Sequence, residues 1–300
     1  MIENIKPGKV SGVFLISSVK SLRTEDKRPY TLFEFKDRVA RIKAFLWNSS
    51  INYLKPGDFV KISCDAQEHK SELVLRLNET AITKIDKPEN INEYIYALDR
   101  MTTNNLWTEL MGFINSVQDK EITALLKYFA SQHESVGEEF NLVTCPMDVD
   151  IYSNYSGGLL EHIVYTCRHA KAICRNYYDR NTPIDPDLLM AILILHDTGK
   201  LKAYKNILLP EKTMLGLTVP EQVLSMQVIN RIISDAKIKD SKKMQKIAVA
   251  ALGNKPKFIE EIICQQLHDM DTMVGKFSKA INFAKTGDEI IFLEGEPIVL

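Results

Sequence analysis

Long apolar runs are missing from this sequence. No stretch reaches the roughly 18–20 consecutive apolar residues that a membrane-spanning helix needs. Residues 1–6 also lack the charged and apolar regions of a secretory signal peptide. We therefore expect no membrane partner and a cytoplasmic location.

A disulfide framework and an excess of either charge are absent as well. The cysteines are five in number and scattered, which indicates reduced thiols rather than a set of bridges. The formal net charge is −1, so the whole molecule has no general attraction to nucleic acid or to anionic membranes. Any site for a polyanion must therefore rest on a local basic patch.

The patterns of apolar residues that are present divide the chain into a strand-rich part and a helical part. Three hundred residues exceed one ordinary core and indicate about two domains. Residues 10–85 contain five short runs of strand-forming residues separated by polar turns, which predicts a small closed β-barrel. Later segments repeat apolar residues at helical spacing. We predict a multidomain α+β protein with a barrel domain at 1–86, a helical connector at 87–145 and a helical bundle at 146–300.

The order of motifs in the first part resembles an OB-fold of the nucleic-acid-binding type. The segments "PYTLFEFKD", "ARIKAFLW" and "LKPGDFVKI" carry this resemblance. In such barrels the second and third strands form the binding face. One side of the predicted third strand combines cations with aromatic rings, which suits phosphates and stacked bases, and a tyrosine on the second strand can join it. The candidate residues are Tyr30, Arg41, Lys43, Phe45 and Trp47. The alternative is that Phe45 and Trp47 belong to the core and that the cations are merely solvated.

In the helical part, the pair His196-Asp197 ends an apolar segment and is followed by Gly199 and Lys200. Imidazole and carboxylate together suit Mn²⁺, Fe²⁺ or Zn²⁺ better than Ca²⁺. His162 follows a Gly-Gly pair on the preceding long helix, and Asp269 and Asp271 lie on the last helix. Three helices can thus direct ligands at one ion. His268 and Glu161 are candidates for supporting positions around the ligands.

The pattern His…His-Asp…Asp on helices resembles the HD superfamily of metal-dependent phosphohydrolases. The motifs "GGLLEH", "LLMAILILHDTGKLKAY" and "LHDMDTM" after an OB barrel resemble, more closely, the YhaM family of bacterial 3′-5′ exoribonucleases. This resemblance implies a metal-dependent phosphodiester hydrolase that acts on single-stranded RNA, with single-stranded DNA as a further substrate. It implies His162, His196, Asp197 and Asp271 as metal ligands, Asp197 and Lys200 as catalytic residues, and Mn²⁺ as the cofactor.

Several histidines that family members usually have are absent here. Their positions correspond to residues 152–155, to Leu217 and to residues 250–253. We therefore expect one metal ion rather than two. Two other functions stay open. The chain can be a catalytically reduced protein that binds single-stranded nucleic acid or regulates a partner, or a hydrolase of nucleotides. A homo-oligomer is a further expectation.

Overall fold

The computed structural model describes residues 2–38, 40–69, 72–95, 97–133, 141–148, 155–180, 182–205, 208–239, 241–253, 255–283, 290–293 and 296–299. The chain forms two compact units, Met1–Tyr96 and Ala97–Leu300. The predicted boundaries at residues 86 and 145 stay predictions. Of the segments where family histidines were expected, residues 152–154 lie outside the described part.

The first unit is a closed barrel. Its strands are β1 (Gly8–Arg23), β2 (Pro29–Lys36), β3 (Arg41–Trp47), β4 (Phe59–His69), β5 (Glu72–Leu77) and β6 (Ile82–Ile85). Hydrogen-bonded neighbours follow the order β1-β2-β3-β5-β4, and β1 also pairs with β4, which closes the sheet. Among the described strands of this unit, β3 and β5 pair in parallel and the other pairs are antiparallel, with β6 at the edge of β4. This strand order confirms the predicted five-stranded OB-type barrel.

Alternation along the strands explains the barrel core. On β3, Ile42, Ala44 and Leu46 are buried, and the residues between them point outward. The buried side of β2 contributes Phe33 and Phe35, whose rings stack with centroids 5.7 Å apart. Burying this apolar side against the other strands leaves the opposite side of β2 and β3 free for contacts outside the core.

The second unit is predominantly helical. Its helices are α1 (Arg100–Ser116), α2 (Lys120–Ser131), α3 (Gly158–Tyr177), α4 (Pro186–Leu195), α5 (Lys200–Ala203), α6 (Met214–Thr218), α7 (Glu221–Asp235), α8 (Lys242–Ala250) and α9 (Ile259–Phe283). Two short hairpins accompany them, β7 (Tyr204–Lys205) with β8 (Glu211–Lys212) and β9 (Ile290–Leu293) with β10 (Glu296–Val299). The predicted α+β class with a helical second part is confirmed.

Helix α4 lies at the centre of this unit. Its N-cap is Asp185, whose side chain accepts hydrogen bonds from the amides of Asp187 and Leu188, and Pro186 occupies the first turn. Residues 188–195 are all buried, and the helix packs against α3, α8 and α9. This burial fixes the direction in which the chain leaves the helix. None of the described helices is long and apolar enough to cross a membrane.

Candidate metal centre and barrel surface

Three helices bring chemically active side chains to one place. His162 lies in the first half of α3, and His268 and Asp271 lie on α9, three residues apart and therefore on one face. His196 is the C-cap of α4, and Asp197 follows in the turn that leads to α5. The contacts of α3 and α4 with each other and with α9 hold these segments together.

The turn after His196 depends on a close backbone approach. Gly199 donates its amide hydrogen to Ser225 Oγ at 2.8 Å. A Cβ atom on Gly199 would overlap the carbonyl oxygen of Glu221 and the amide nitrogen of Ser225. Glycine therefore allows α7 to pack directly on the turn that carries His196 and Asp197.

Four side chains form a compact cluster of donor atoms. Ligand atoms of His162, His196, Asp197 and His268 all lie within 4.8 Å of one another. Nε2 of His196 is 3.5 Å from Nε2 of His162 and 3.2 Å from Nδ1 of His268. Oδ2 of Asp197 is 3.7 Å from His162 Nε2 and 3.5 Å from each of the other two nitrogens. The arrangement offers three nitrogen donors and one oxygen donor to a single ion.

The contacts of the outer ring nitrogens of His162 and His196 determine which nitrogen of each ring presents a lone pair to the cluster. His162 Nδ1 lies 2.6 Å from Oδ2 of Asp271, and His196 Nδ1 lies 2.9 Å from the carbonyl oxygen of Leu193. Both oxygens are acceptors, so both Nδ1 atoms carry the hydrogen and both Nε2 atoms present lone pairs. Asp197 Oδ2 is buried and has no hydrogen-bond partner among the described residues. A cation between these lone pairs would satisfy all of them, so the residues fit a metal ion.

The electrostatics of the cluster keep His196, His268 and Asp197 in their deprotonated forms at neutral pH. Burial lowers the pKa of His196 to about 4 and also lowers the pKa of His268. Burial by itself would raise the pKa of Asp197, but Lys200 and the histidines outweigh it and hold the pKa well below its usual range. Neutral imidazoles and an ionised carboxylate are the forms that bind metals.

Lys200 is buried beside the cluster, where it contacts Glu221 and Asp197. Its Nζ lies 2.8 Å from Glu221 Oε2 and 4.0 Å from Asp197 Oδ1, and Tyr204 donates a hydrogen bond to Glu221 Oε1 at 2.6 Å. Burial by itself would lower the pKa of Lys200, but Asp197 and Glu221 outweigh it and raise the pKa. Lys200 is therefore a fixed cation that faces the outer oxygen of Asp197.

The remaining residues predicted around the metal occupy different places. Asp271 contacts the outer nitrogen of His162 and is not in the group of four donors. Asp269 is exposed. Glu161 accepts a hydrogen bond from the Tyr155 hydroxyl. Leu217, at a position where the family resemblance implies a histidine, is 67% exposed on α6.

Two features of this centre differ from what the sequence predicts. The sequence predicts His268 only in a supporting position, although its spacing of three residues from Asp271 places both on one face of α9. Glu221 is not predicted near the centre, because nothing in the local sequence connects it with Lys200, 21 residues earlier.

On the barrel, the predicted surface residues share the outer side of β2 and β3. Tyr30 and Trp47 pair across the two strands with ring centroids 5.0 Å apart, and the Phe45 and Trp47 rings stack at 5.5 Å. Trp47 is 42% exposed, so it is not a core residue. Arg41 pairs with Glu34 at 3.2 Å and Lys43 with Glu72 at 2.8 Å. The outer side thus combines a run of aromatic rings with cations that already have carboxylate partners.

Strand order and site together define a class: an OB-type barrel followed by a helical unit with a His/Asp cluster suited to a metal ion. The chain is similar to the 3′-5′ exoribonuclease YhaM of Bacillus subtilis (strain 168), with 22% identity over 287 residues, 91% of this chain and 87% of that protein. This similarity confirms the family resemblance predicted from the motifs.

Two further relatives are also named 3′-5′ exoribonuclease YhaM. The protein of Halalkalibacterium halodurans is 22% identical over 63% of this chain and 57% of its own length. That of Shouchella clausii is 21% identical over 69% of this chain and 63% of its own length. The matched regions thus span less than two thirds of these two relatives.

Solved structures similar to parts of the chain include the second OB-fold domain of replication protein A from Methanococcus maripaludis, with 23% identity and a TM-score of 0.23 over 29% of this chain and 95% of that one. Another is the mitochondrial single-stranded DNA binding protein Rim1 from S. cerevisiae, with 16% identity and a TM-score of 0.23 over 28% of this chain and 100% of that one. No protein-family model matches the chain.

Proposed function

We propose that this protein is a metal-dependent phosphodiester hydrolase that removes nucleotides from the 3′ end of single-stranded RNA, with single-stranded DNA as a second substrate. The main support is the convergence of His162, His196, His268 and Asp197 on one point, where Asp197 Oδ2 is buried and has no hydrogen-bond partner among the described residues. A buried carboxylate oxygen without a partner is costly unless a cation binds it. The similarity to proteins named 3′-5′ exoribonuclease supports the reaction, the polarity and the substrate.

In this proposal one divalent ion binds between His162, His196, Asp197 and His268. Asp271, which the sequence analysis placed among the ligands, instead accepts the Nδ1 hydrogen of His162 and orients that ring. Carboxylates in this outer position are common around metal-bound histidines and increase the basicity of the ring. The sequence-based expectation for the ion is Mn²⁺, and the single group of donors among the described residues supports one ion.

A divalent ion bound there would activate a water molecule near neutral pH and polarise a phosphoryl oxygen, which requires a coordination position beyond the four protein donors. The residues around it have separate tasks. Asp197 turns one oxygen toward the donor cluster and the other toward Lys200, so the Lys200 charge holds the carboxylate in place. The catalytic role of Lys200 that the family resemblance implies stays a prediction. His268 has the most exposed side chain of the four donors, so substrate approaches most easily from its side.

In this proposal the barrel binds the single-stranded nucleic acid. Stacking on Tyr30, Phe45 and Trp47 suits unpaired bases of any sequence, because every base has an aromatic face. Arg41 and Lys43 border these rings, where they can contact the phosphates. The helical unit supplies the hydrolysis.

The test is digestion of a short oligoribonucleotide that carries a label at its 5′ end. With Mn²⁺ we expect a ladder of shortened labelled products, and a chelator should abolish it. Asp197→Asn should reduce the rate to background, since it removes the buried anionic donor. His169→Ala, a change at an exposed position of α3, is the matched control and should digest normally.

Failure of the wild-type protein to shorten RNA or DNA with any divalent ion would contradict this proposal. Release of phosphate from mononucleotides alone would favour the nucleotide hydrolase. A second candidate has a specific observation behind it: four protein donors resemble a closed structural site, which lacks the open position of a catalytic one. Tight binding of metal and RNA without digestion would favour this catalytically reduced binding protein.

A further inference from the structure

The donor set of the metal centre contains more nitrogen than the sequence-based ligand set. His162, His196, Asp197 and Asp271 would offer two nitrogens and two carboxylates. In the structure, the group of four contains three imidazoles and one carboxylate, because His268 faces the cluster. Asp271 Oδ2 lies 2.6 Å from the outer nitrogen of His162.

This difference changes which ion the centre prefers. Carboxylates and water suit Mn²⁺, whereas imidazole suits Zn²⁺ and the later transition ions. The donors are also close together. Five of the separations between the inward-facing atoms lie between 3.2 and 3.7 Å. Bonds of about 2.0–2.1 Å to a tetrahedral Zn²⁺ place the ligand atoms about 3.3 Å apart, so little rearrangement is needed.

The rings are also prepared for this ion. His162 and His196 both have the outer nitrogen held by an acceptor, so their Nε2 lone pairs are already directed inward. Fixed tautomers lower the cost of organising a nitrogen-rich site. One carboxylate leaves a net positive charge on a centre that holds a divalent ion, and Asp271 offsets part of that charge from the outer side of His162.

We propose that His268 makes this centre selective for a four-coordinate, nitrogen-preferring ion, Zn²⁺ first, over Mn²⁺. The inference rests on the metal centre of the proposed function but not on the hydrolysis. It differs from the sequence-based expectation of Mn²⁺ because His268, rather than a second carboxylate, completes the group of donors.

The experiment compares wild-type protein with His268→Asp, which replaces one imidazole by a carboxylate. The full-length protein is freed of metal with a chelator, and the dissociation constants of Zn²⁺ and Mn²⁺ are measured by competition with an indicator. We expect the ratio of Mn²⁺ to Zn²⁺ dissociation constants to fall by about tenfold or more in the variant. His169→Asp introduces the same change at an exposed position and should leave the ratio unchanged.

Cobalt provides a second measurement. Co²⁺ in four-coordinate sites absorbs visible light strongly, whereas six-coordinate Co²⁺ absorbs weakly. We expect the strong spectrum in the wild type and a weaker one in His268→Asp. If the aspartate variant does not fold, His268→Asn serves instead and should weaken Zn²⁺ binding while leaving Mn²⁺ binding close to the wild-type value.

An unchanged ratio in the variant, or a weak Co²⁺ spectrum in the wild type, would overturn the selectivity, even if the protein digests RNA with Mn²⁺. Binding of neither ion would overturn both the selectivity and the metal centre. Zn²⁺ selectivity in a protein that digests no nucleic acid would leave the selectivity standing and remove only the hydrolase.

Discussion

His162 shows how much the centre depends on single atoms. Its side chain is almost completely buried, with one nitrogen directed at Asp271 and the other at the donor cluster. A ring whose two nitrogens face different partners is held in one orientation, with Nδ1 toward Asp271 and Nε2 toward the cluster. The proposed role of Asp271 follows from this geometry, because the carboxylate fixes the ring without entering the cluster.

The first prediction at this scale concerns Asp271→Ala. Loss of the outer hydrogen bond should weaken metal binding by about 10–100-fold while one ion per chain still binds at saturation. Equilibrium dialysis with elemental analysis measures both quantities. Asp269→Ala removes an exposed carboxylate two residues away and should bind as the wild type does. Complete loss of the ion in Asp271→Ala would instead support Asp271 as a direct ligand.

At the scale of elements, the centre requires α7 to pack closely on the turn between α4 and α5. Gly199 permits this packing, and Ser225 and Glu221 of α7 respectively bind the turn's amide and the Lys200 ammonium group. The position of Asp197 therefore depends on an element that follows it by more than 20 residues. The turn that carries Asp197 and the helix α7 that packs on it are therefore distant parts of the sequence.

We predict that Gly199→Ala destabilises the protein by about 1–3 kcal/mol or more, because the added methyl overlaps backbone atoms of α7 that cannot move independently. Urea unfolding followed by circular dichroism measures the change. Gly112→Ala is the matched control, since Gly112 is exposed on α1 with open space around it. That substitution should stabilise the protein by about 0.5–1 kcal/mol. Equal effects of the two substitutions would contradict the close approach at Gly199.

At the scale of the whole molecule, the two units carry separable tasks in the proposed function. In that proposal the aromatic rings of the first unit bind the strand, and the candidate metal centre of the second unit carries out the hydrolysis. Loss of one task should therefore leave the other measurable. The expected homo-oligomer stays a prediction.

Trp47→Ala tests this separation. It should weaken binding of a single-stranded oligoribonucleotide by about 1–3 kcal/mol, the range for one stacked base, and leave the metal content unchanged. Fluorescence anisotropy measures the binding and elemental analysis the metal. Tyr178→Ala, at a highly exposed aromatic residue of the second unit, should bind as the wild type does. Unchanged RNA binding by Trp47→Ala would remove the aromatic surface from the proposal.

Much of the fold was predictable because it depends on local patterns. Alternating residues on β3, the turns between strands and the capped start of α4 each determine structure within a few residues. The barrel, the helical second part and the similarity to the exoribonuclease family were all found in this way. The sequence also predicts His162, His196 and Asp197 as ligands, since each lies in a motif with its own local signature.

Which residue of α9 lies in the donor cluster follows only from the packing of the helices. The sequence shows that α9 carries His268, Asp269 and Asp271, and helical spacing places the first and last on one face. The sequence does not show how far α9 is rotated and shifted against α3 and α4, because that depends on side-chain packing between distant segments. This packing brings His268 into the donor cluster, Asp271 against the outer nitrogen of His162, and Glu221 against Lys200.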